Sequence, residues 1–428
     1  MSVAIIEIND SGLYCGNDQG ELIVSPGYAL LTKQGITTGK AALERAYLEP
    51  QQSFNQYWRQ LNLSPLPAPN NQARHHADLA YAQLLELHHE GGSPDKVIFA
   101  TPGSFDRDQL SILLGLAKAS PFEALGLVDA AVAAVSQSDL SGQLLHLDIQ
   151  LHQCVLTRLH AGNTIEHSYV ERTDVEVIAG IGLKAFYDTW AQHIADMFIR
   201  QYRYDPLHTA AGEQQLYDLL PNWLGQLSET SELAIALDSP QGSYHLNLNR
   251  SELLASSSAR LELLQKKVRN IQRADEIMIA SHRTLLLQGL LERLDDIHIL
   301  PNDAVIQGCL NNLEAIIGHE ETIHFVTQLP RQHKPTQTPQ LNVTTTPTHL
   351  LYQHRAHTIG DGLYIQVDGN QLSFSHQHTG DIALIRDNDR VQLHSNHKNI
   401  TTQSNRDNLQ PGAIIHIGVH QLQLIEVT

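Results

Sequence analysis

A chain of 428 residues is longer than one ordinary domain and implies two or three. Its 28 Lys and Arg against 46 Asp and Glu leave a formal net charge of −18. That balance argues against a dedicated nucleic-acid binder, which needs a basic face to displace counterions, and against a general attraction to anionic membranes. The apolar fraction of 42% with 17% charged residues suits a folded globular chain. No apolar run reaches the length of about eighteen residues that a membrane span needs.

The opening MSVAIIEIND has no basic stretch ahead of a long apolar core, so it does not read as a secretory leader. Val3–Ile8 reads as a strand and Asn9–Gly12 as a turn, followed by the strand-like runs LYCGN and ELIVSP. A helix is expected over Thr38–Leu48 and another from about Ala73 to His89, then a buried strand, KVIFATP. Asp106–Lys118 places Leu110, Leu113, Leu114 and Ala117 on one helical face, and LGLVD leads into a small-residue helix at Ala130–Val135. The theme then repeats: a hairpin of LLHLDI and CVLTRL, the strand run ERTDVEVIAG, helices at Leu183–Tyr202, Gly212–Leu227 and Ser251–Val268, and the strand pair SELAIAL and SYHLNL. EIMIAS reads as a short strand entering a helix at Thr284–Leu294, and Asn302 is placed to cap a helix from Asp303. Gln328–His349 carries four prolines with many Thr and Gln, which reads as an extended linker. Beyond it, short alternating strands and Asp- and Pro-Gly turns call for a small β-sandwich.

Five stretches carry a family resemblance. AIIEINDSG stands where actin-like ATPases have their first phosphate loop, LLHLDIQLHQCVL where they have the second, and EIMIASHRTLLLQGLLERL at the adenosine loop. IFATPGSFDRDQLSILLGLAKASPFEALGLVDAAVAAV and PNDAVIQGCLNNLEAI add a matching middle and a matching closing helix. Over roughly residues 1–318 the chain resembles this superfamily, and within it the nucleotide-binding domain of DnaK-type chaperones. The resemblance implies a two-lobed α/β domain, ribonuclease H-like and duplicated, over residues 1–327, with the second lobe from about residue 142. It implies Glu7 at the first-loop Asp, Asp129 at the catalytic Glu and Asp148 at the second-loop Asp, the carboxylates that organise Mg²⁺ and the attacking water.

A phosphate loop needs glycine so that backbone N–H groups can approach phosphate with no Cβ in the way. Here Asn9, Asp10 and Ser11 occupy the first loop, Gln150, Leu151 and His152 the glycine positions of the second, and Ala280-Ser281-His282-Arg283 the adenosine loop. Asn9, Asp10, Ser11, Gln150, His152, Ser281 and His282 therefore mark a degenerate nucleotide cleft.

Residues 350–428 resemble a forkhead-associated domain. Ile359-Gly360-Asp361 stands for Ile-Gly-Arg, Leu372-Ser373-Phe374-Ser375-His376 for Leu-Ser-Arg-x-His, and LQPGAIIHIG for the closing strand. That family reads phosphothreonine through arginines and a serine. Here Asp361 and Phe374 replace the arginines, leaving Ser373 and His376, with Lys398 and Asn399 on a neighbouring loop, as docking or phosphopeptide residues.

Cys15, Cys154 and Cys309 lie far apart with no C-x-x-C pair, so neither a disulfide framework nor a zinc site is expected, and the chain reads as cytoplasmic. His75 and His88 lie too far apart along one helix to share a metal; the H-x-H of His376 and His378, with His394 and His397, reads as polar surface, and no metal site is expected. The expected function is a non-catalytic or weakly nucleotide-binding scaffold that binds other proteins, with no cofactor and no nucleic acid. The alternatives are a divergent chaperone-type ATPase using ATP and Mg²⁺, and a phosphothreonine-peptide reader.

Overall fold

Ala4, Ile5 and Ile6 are all buried, the mark of a strand covered on both faces, and Val3–Glu7 forms β1 at the heart of a six-stranded sheet. The computed structural model describes every residue except 1–2, 68, 165–167, 295, 319–321, 332–345, 354, 369–370, 378–379, 388–389, 396–399, 403–408, 410, 412, 418–419 and 427–428. The chain is mixed α/β with a separate β region, and it divides into two compact units, residues 1–334 and 335–428.

In the first unit, β1 is followed by β2 (Leu13–Gly16) and β3 (Leu22–Ser25), each antiparallel to the strand before it. A small sheet of β4 (Ala29–Leu31), β5 (Ile36–Thr38) and, after the short helix α1 (Gly39–Leu43), β6 (Ser53–Phe54) comes next. Helix α2 (His76–Glu90) leads to β7 (Lys96–Thr101), parallel to β1. Helix α3 (Arg107–Ala119), capped by Asp106 and Gln109 in reciprocal hydrogen bonds, leads to β8 (Glu123–Asp129), parallel to β7, and then to α4 (Ala130–Val135).

The second sheet repeats this order. β9 (Gly142–Ile149), β10 (Gln153–Asn163) and β11 (Ser168–Ala179) form an antiparallel meander. Helices α5 (Leu183–Tyr202) and α6 (Ala210–Leu227), the hairpin β12 (Glu232–Ser239) and β13 (Gly242–Asn249), and α7 (Arg250–Ile271) intervene. β14 (Glu276–Ala280) then lies parallel to β9, and β15 (His298–Ile299) parallel to β14. Helices α8 (Ala304–Leu310) and α9 (Leu313–Ile317) precede β16 (Phe325–Val326), which extends the first sheet beside β8, and β17 (Gln328–Arg331), which extends the second beside β11. The strand orders are β16-β8-β7-β1-β2-β3 and β15-β14-β9-β10-β11-β17.

Strand alternation sorts the core. In β1, Ala4 and Ile6 pack toward α2 and α3, while Ile5 packs toward α4 and α8. In β9, Leu145, Leu147 and Ile149 join the cluster formed with α5, α6 and α7, while Leu144 joins Ile5 around α4 and α8. The small residues of α4 let α8 come close: a Cβ on Gly308 would stand 1.9 Å from the Ala133 carbonyl oxygen.

The second unit holds two antiparallel sheets. One runs β19 (Arg355–Thr358), β18 (His349–Tyr352), β26 (His420–Ile425), β25 (Ile414–Ile417), β24 (Ile400–Thr402). The other runs β21 (Gln371–Ser375), β20 (Gly362–Asp368), β22 (Ile382–Asp387), β23 (Arg390–Ser395). Leu350, Ile415 and Leu424 of the first share a core with Leu363, Ile365 and Leu384 of the second.

Several expected elements differ. Residues 328–331, expected as linker, are the edge strand β17, where Leu329 and Arg331 are buried beside β11; residues 332–345 lie outside the described part. The helix expected at Thr284–Leu294 is a 3₁₀ turn over His282–Leu286 followed by turns, because Gly289 takes φ +80° and the bonds run Leu287 to Thr284 and Leu290 to Leu287. Helix α1 ends at Leu43, not Leu48, in a series of turns ahead of Pro50. His75 is the extended N-cap of α2, not part of the helix. Asp303, not Asn302, stands at the N-cap of α8, and its side chain makes no capping bond. The three cysteines are buried and free.

Replacing Gly308 by Ala is expected to force α8 from α4 and to cost roughly 1–3 kcal/mol or more. A lowered urea midpoint checks this, whereas Gly115→Ala, at an open position on α3, leaves the midpoint unchanged or raises it.

Candidate functional site

Four chain segments converge where the parallel strands of the two sheets end. β1 delivers Glu7 and the turn Asn9–Gly12, β8 delivers Asp129, β9 delivers Asp148 and the turn Gln150–His152, and β14 delivers Ser281–Arg283. Strand carboxyl ends are where open α/β sheets place their ligands, because side chains and loops there diverge from a rigid frame.

The first turn and the second hydrogen-bond to each other directly. The Asn9 amide donates to Asp148 Oδ2 at 2.8 Å and to the Ile149 carbonyl at 3.1 Å. The Asn9 side-chain oxygen accepts from Ser11 N and Ser11 Oγ, which holds the turn rigid. Asp10 Oδ1 accepts the Leu151 N–H at 2.6 Å, and its own carbonyl accepts from Gly27. Burial above all, with the nearby Asp148 adding to it and the Leu151 N–H pulling the other way, raises the Asp10 carboxyl from its ordinary 3.8 to about 7.

A second tie crosses from the other sheet. Arg283 Nη1 donates to Glu7 Oε1 at 2.5 Å and Nη2 to the Gly12 carbonyl at 3.0 Å, with both partners of the ion pair buried. The guanidinium lies 4.4 Å from the Tyr14 ring centroid, and the Tyr14 hydroxyl meets His282 Nε2 at 2.7 Å. Burial raises the Glu7 carboxyl, and Arg283 holds it back; burial opposes charge on Arg283, but Glu7 and Asp148 outweigh it. Burial and Arg283 push His282 down to about 4, so the ring is neutral.

The remaining expected residues bond within the chain, with Gln150 Nε2 and Ser281 Oγ left without a partner among the described residues. Asp129 is fully buried; its Oδ1 caps α4 through Ala131 N and Val132 N, and its Oδ2 pairs with Arg172 at 2.8 Å. Gln150 accepts from the Gln153 side chain at 2.8 Å. His152 Nε2 meets the Asn55 carbonyl at 3.0 Å, and burial lowers its pKa. Ser281 donates its N–H to the Leu147 carbonyl.

A cavity of about 30 Å³ is left between Glu7, His146, Asp148, Ser281, His282 and Arg283. Sites for drug-sized ligands occupy roughly 300–1,000 Å³, whereas a single water needs on the order of 10–15 Å³. Among the described residues, Glu7 Oε2, Asp148 Oδ1, Ser281 Oγ and both ring nitrogens of His146 have no hydrogen-bond partner, and all belong to residues lining this cavity.

Farther along, the Tyr47 and Tyr217 rings stack at 3.9 Å, with Lys184 Nζ 5.7 Å from each. Gln214 accepts from Tyr47 N and donates to the Leu43 carbonyl, both at 2.9 Å. The sequence places Arg283 in the third loop without assigning it a role, and it assigns none to Tyr14, His146, Arg172 or this tyrosine pair.

In the second unit, Ser373 is exposed in the middle of β21 opposite Gln366, and His376 lies past its end, with Nδ1 2.9 Å from the Gly362 carbonyl. Lys398 and Asn399 lie outside the described residues, as do His378 and His397. Among the described residues, no group of three or more His, Cys, Asp or Glu is arranged to hold a metal ion, and no helix is long and apolar enough to cross a membrane.

Two outcomes follow from this geometry. Asp10 binds a proton in the folded state that the unfolded chain has released, so its contribution to stability is full below about pH 3.8 and is lost as pH rises through about 7. Each pH unit in that window is worth up to about 1.4 kcal/mol, and Asp10→Asn, compared with the parent by urea melts across pH 4–8, removes that slope. Arg283→Ala leaves Glu7 buried and unpaired and costs about 3–5 kcal/mol, while Glu7→Leu with Arg283→Met recovers most of the loss in the same melts.

Compared with known proteins, the chain matches no family model, and no curated protein matches it.

Proposed function

We propose that residues 1–334 form a degenerate actin-like body of the DnaK kind that no longer runs a nucleotide cycle and serves as a rigid scaffold for other proteins, with the β unit as a docking module. The repeated strand order of the two sheets, a meander followed by parallel strands on the far side of its first strand, supports a duplicated ribonuclease H-like architecture with two lobes. The observation that carries the functional reading is the direct bonding of the two phosphate-loop equivalents, Asn9 to Asp148 and Asp10 to Leu151. In a nucleotide-binding protein these loops would offer free N–H groups to phosphate. Here the Leu151 N–H is taken by a carboxylate of the same chain, and a second carboxylate, Asp148, stands beside it.

An active ATPase would need Glu7, Asp129 and Asp148 available to Mg²⁺ and water. Asp129 has both oxygens engaged, by two amides and Arg172, while Glu7 and Asp148 each give one oxygen to Arg283 or Asn9 and keep the other in a cavity of only about 30 Å³. The tie from Arg283 to Glu7 and Gly12 joins the ends of the two sheets through a cation of the protein itself, which supports this reading.

Titration calorimetry of the full chain with ATP and Mg²⁺ is expected to give no binding heat and no phosphate release. Micromolar binding with turnover that Asp148→Ala abolishes would overturn the scaffold reading.

A further inference from the structure

The outer edge of β3 is open. β3 is the last strand of its sheet, and among the described residues it pairs only with β2. In an antiparallel pair, every second residue turns its N–H and C=O away from its neighbour, so Leu22–Val24 presents backbone groups along this edge, while Ser25 is buried and its carbonyl accepts from Gln83. Edge strands are commonly blunted by a charge or a proline within the strand; β3 has neither, and Val24 is 49% exposed.

The edge forms one wall of a groove of about 680 Å³. The opposite wall is charged: Lys40 and Glu44 come from α1, and Glu86 and Glu90 from α2. One ammonium against three carboxylates gives 1 − 3, a local charge of −2, and Lys40 is already 3.9 Å from Glu44. Glu86 accepts from the Thr38 hydroxyl, which fixes it in the wall.

We infer that this groove takes an extended, Lys- or Arg-bearing segment of a partner protein, which adds as a further strand beside β3. Side chains alternate along an added strand, so basic residues at every second position reach Glu44, Glu86 and Glu90 while the backbone satisfies the free edge. A second copy of this chain does not fit, because it would set the same carboxylates against one another on a chain of net charge −18. The inference rests on the scaffold reading and supplies the class of its partner.

The test uses the full chain and two short synthetic peptides, one alternating Lys with Val and one alternating Glu with Val, followed by fluorescence polarisation and hydrogen–deuterium exchange. The Lys–Val peptide is expected to bind and to protect the outward-facing amides within residues 22–24, and the Glu–Val peptide to do neither. Glu44→Gln with Glu90→Gln removes two exposed charge pairs and is expected to weaken binding about fivefold without altering the fold. Val24→Pro is expected to abolish the protection at the strand. Equal binding of both peptides, protection located elsewhere, no binding, or binding unchanged in both variants would each overturn the inference. Nucleotide titration is independent: ATP binding would refute the scaffold reading while leaving the peptide result readable.

Discussion

The structure of the first unit depends on how carboxylates at strand ends are neutralised without solvent. Glu7, Asp10 and Asp129 are all buried, and burial favours the protonated form of each. Arg283 answers Glu7, Arg172 answers Asp129, and a backbone N–H answers Asp10. A buried ion pair adds little net stability over well-packed apolar residues, because desolvating both charges offsets their attraction. Its value lies in position. Breaking either partner away leaves an unpaired charge in a dry site, so the β1 end and the β14 end are held in one arrangement.

That constraint agrees with the rest of the packing. Ile5 of β1, Leu144 of β9 and Ile279 of β14 belong to one cluster with α4 and α8, so the two sheets share a core beneath the point where Glu7 meets Arg283. The Tyr47–Tyr217 stack and Gln214 tie the α1 turn to α6 at a second place. With hydrophobic packing below and polar ties above, the space between the strand ends shrinks to about 30 Å³. Side chains of the chain itself line the space that remains, and β3 ends the first sheet with β2 as its neighbour.

Much of this was legible from residue order. The strand of β1, the hairpin of β9 and β10, helix α3 and the long helices α5 and α7 follow periodicity that acts over a few residues, although Asp106, expected inside α3, is its N-cap. Where the reading failed, a non-local contact or a single backbone torsion decided the outcome. Gly289 at φ +80° packs against Leu254 and breaks what the leucine pattern of 284–294 offers as a helix. β17 is polar and contains Pro330, yet pairing with β11 makes it a strand, as a proline can do at an edge.

The candidate site divides the same way. That positions 9, 150, 151 and 152 carry side chains and no glycine is a property of the sequence alone. What those side chains do is a tertiary matter. That Asn9 bonds Asp148 across 139 positions, and Arg283 reaches Glu7 across 276, could not be read from spacing, because no local rule couples residues so far apart. Residue types determined which polar and charged groups stand at the strand ends; only the folding of two sheets onto a common core decided which of them would meet.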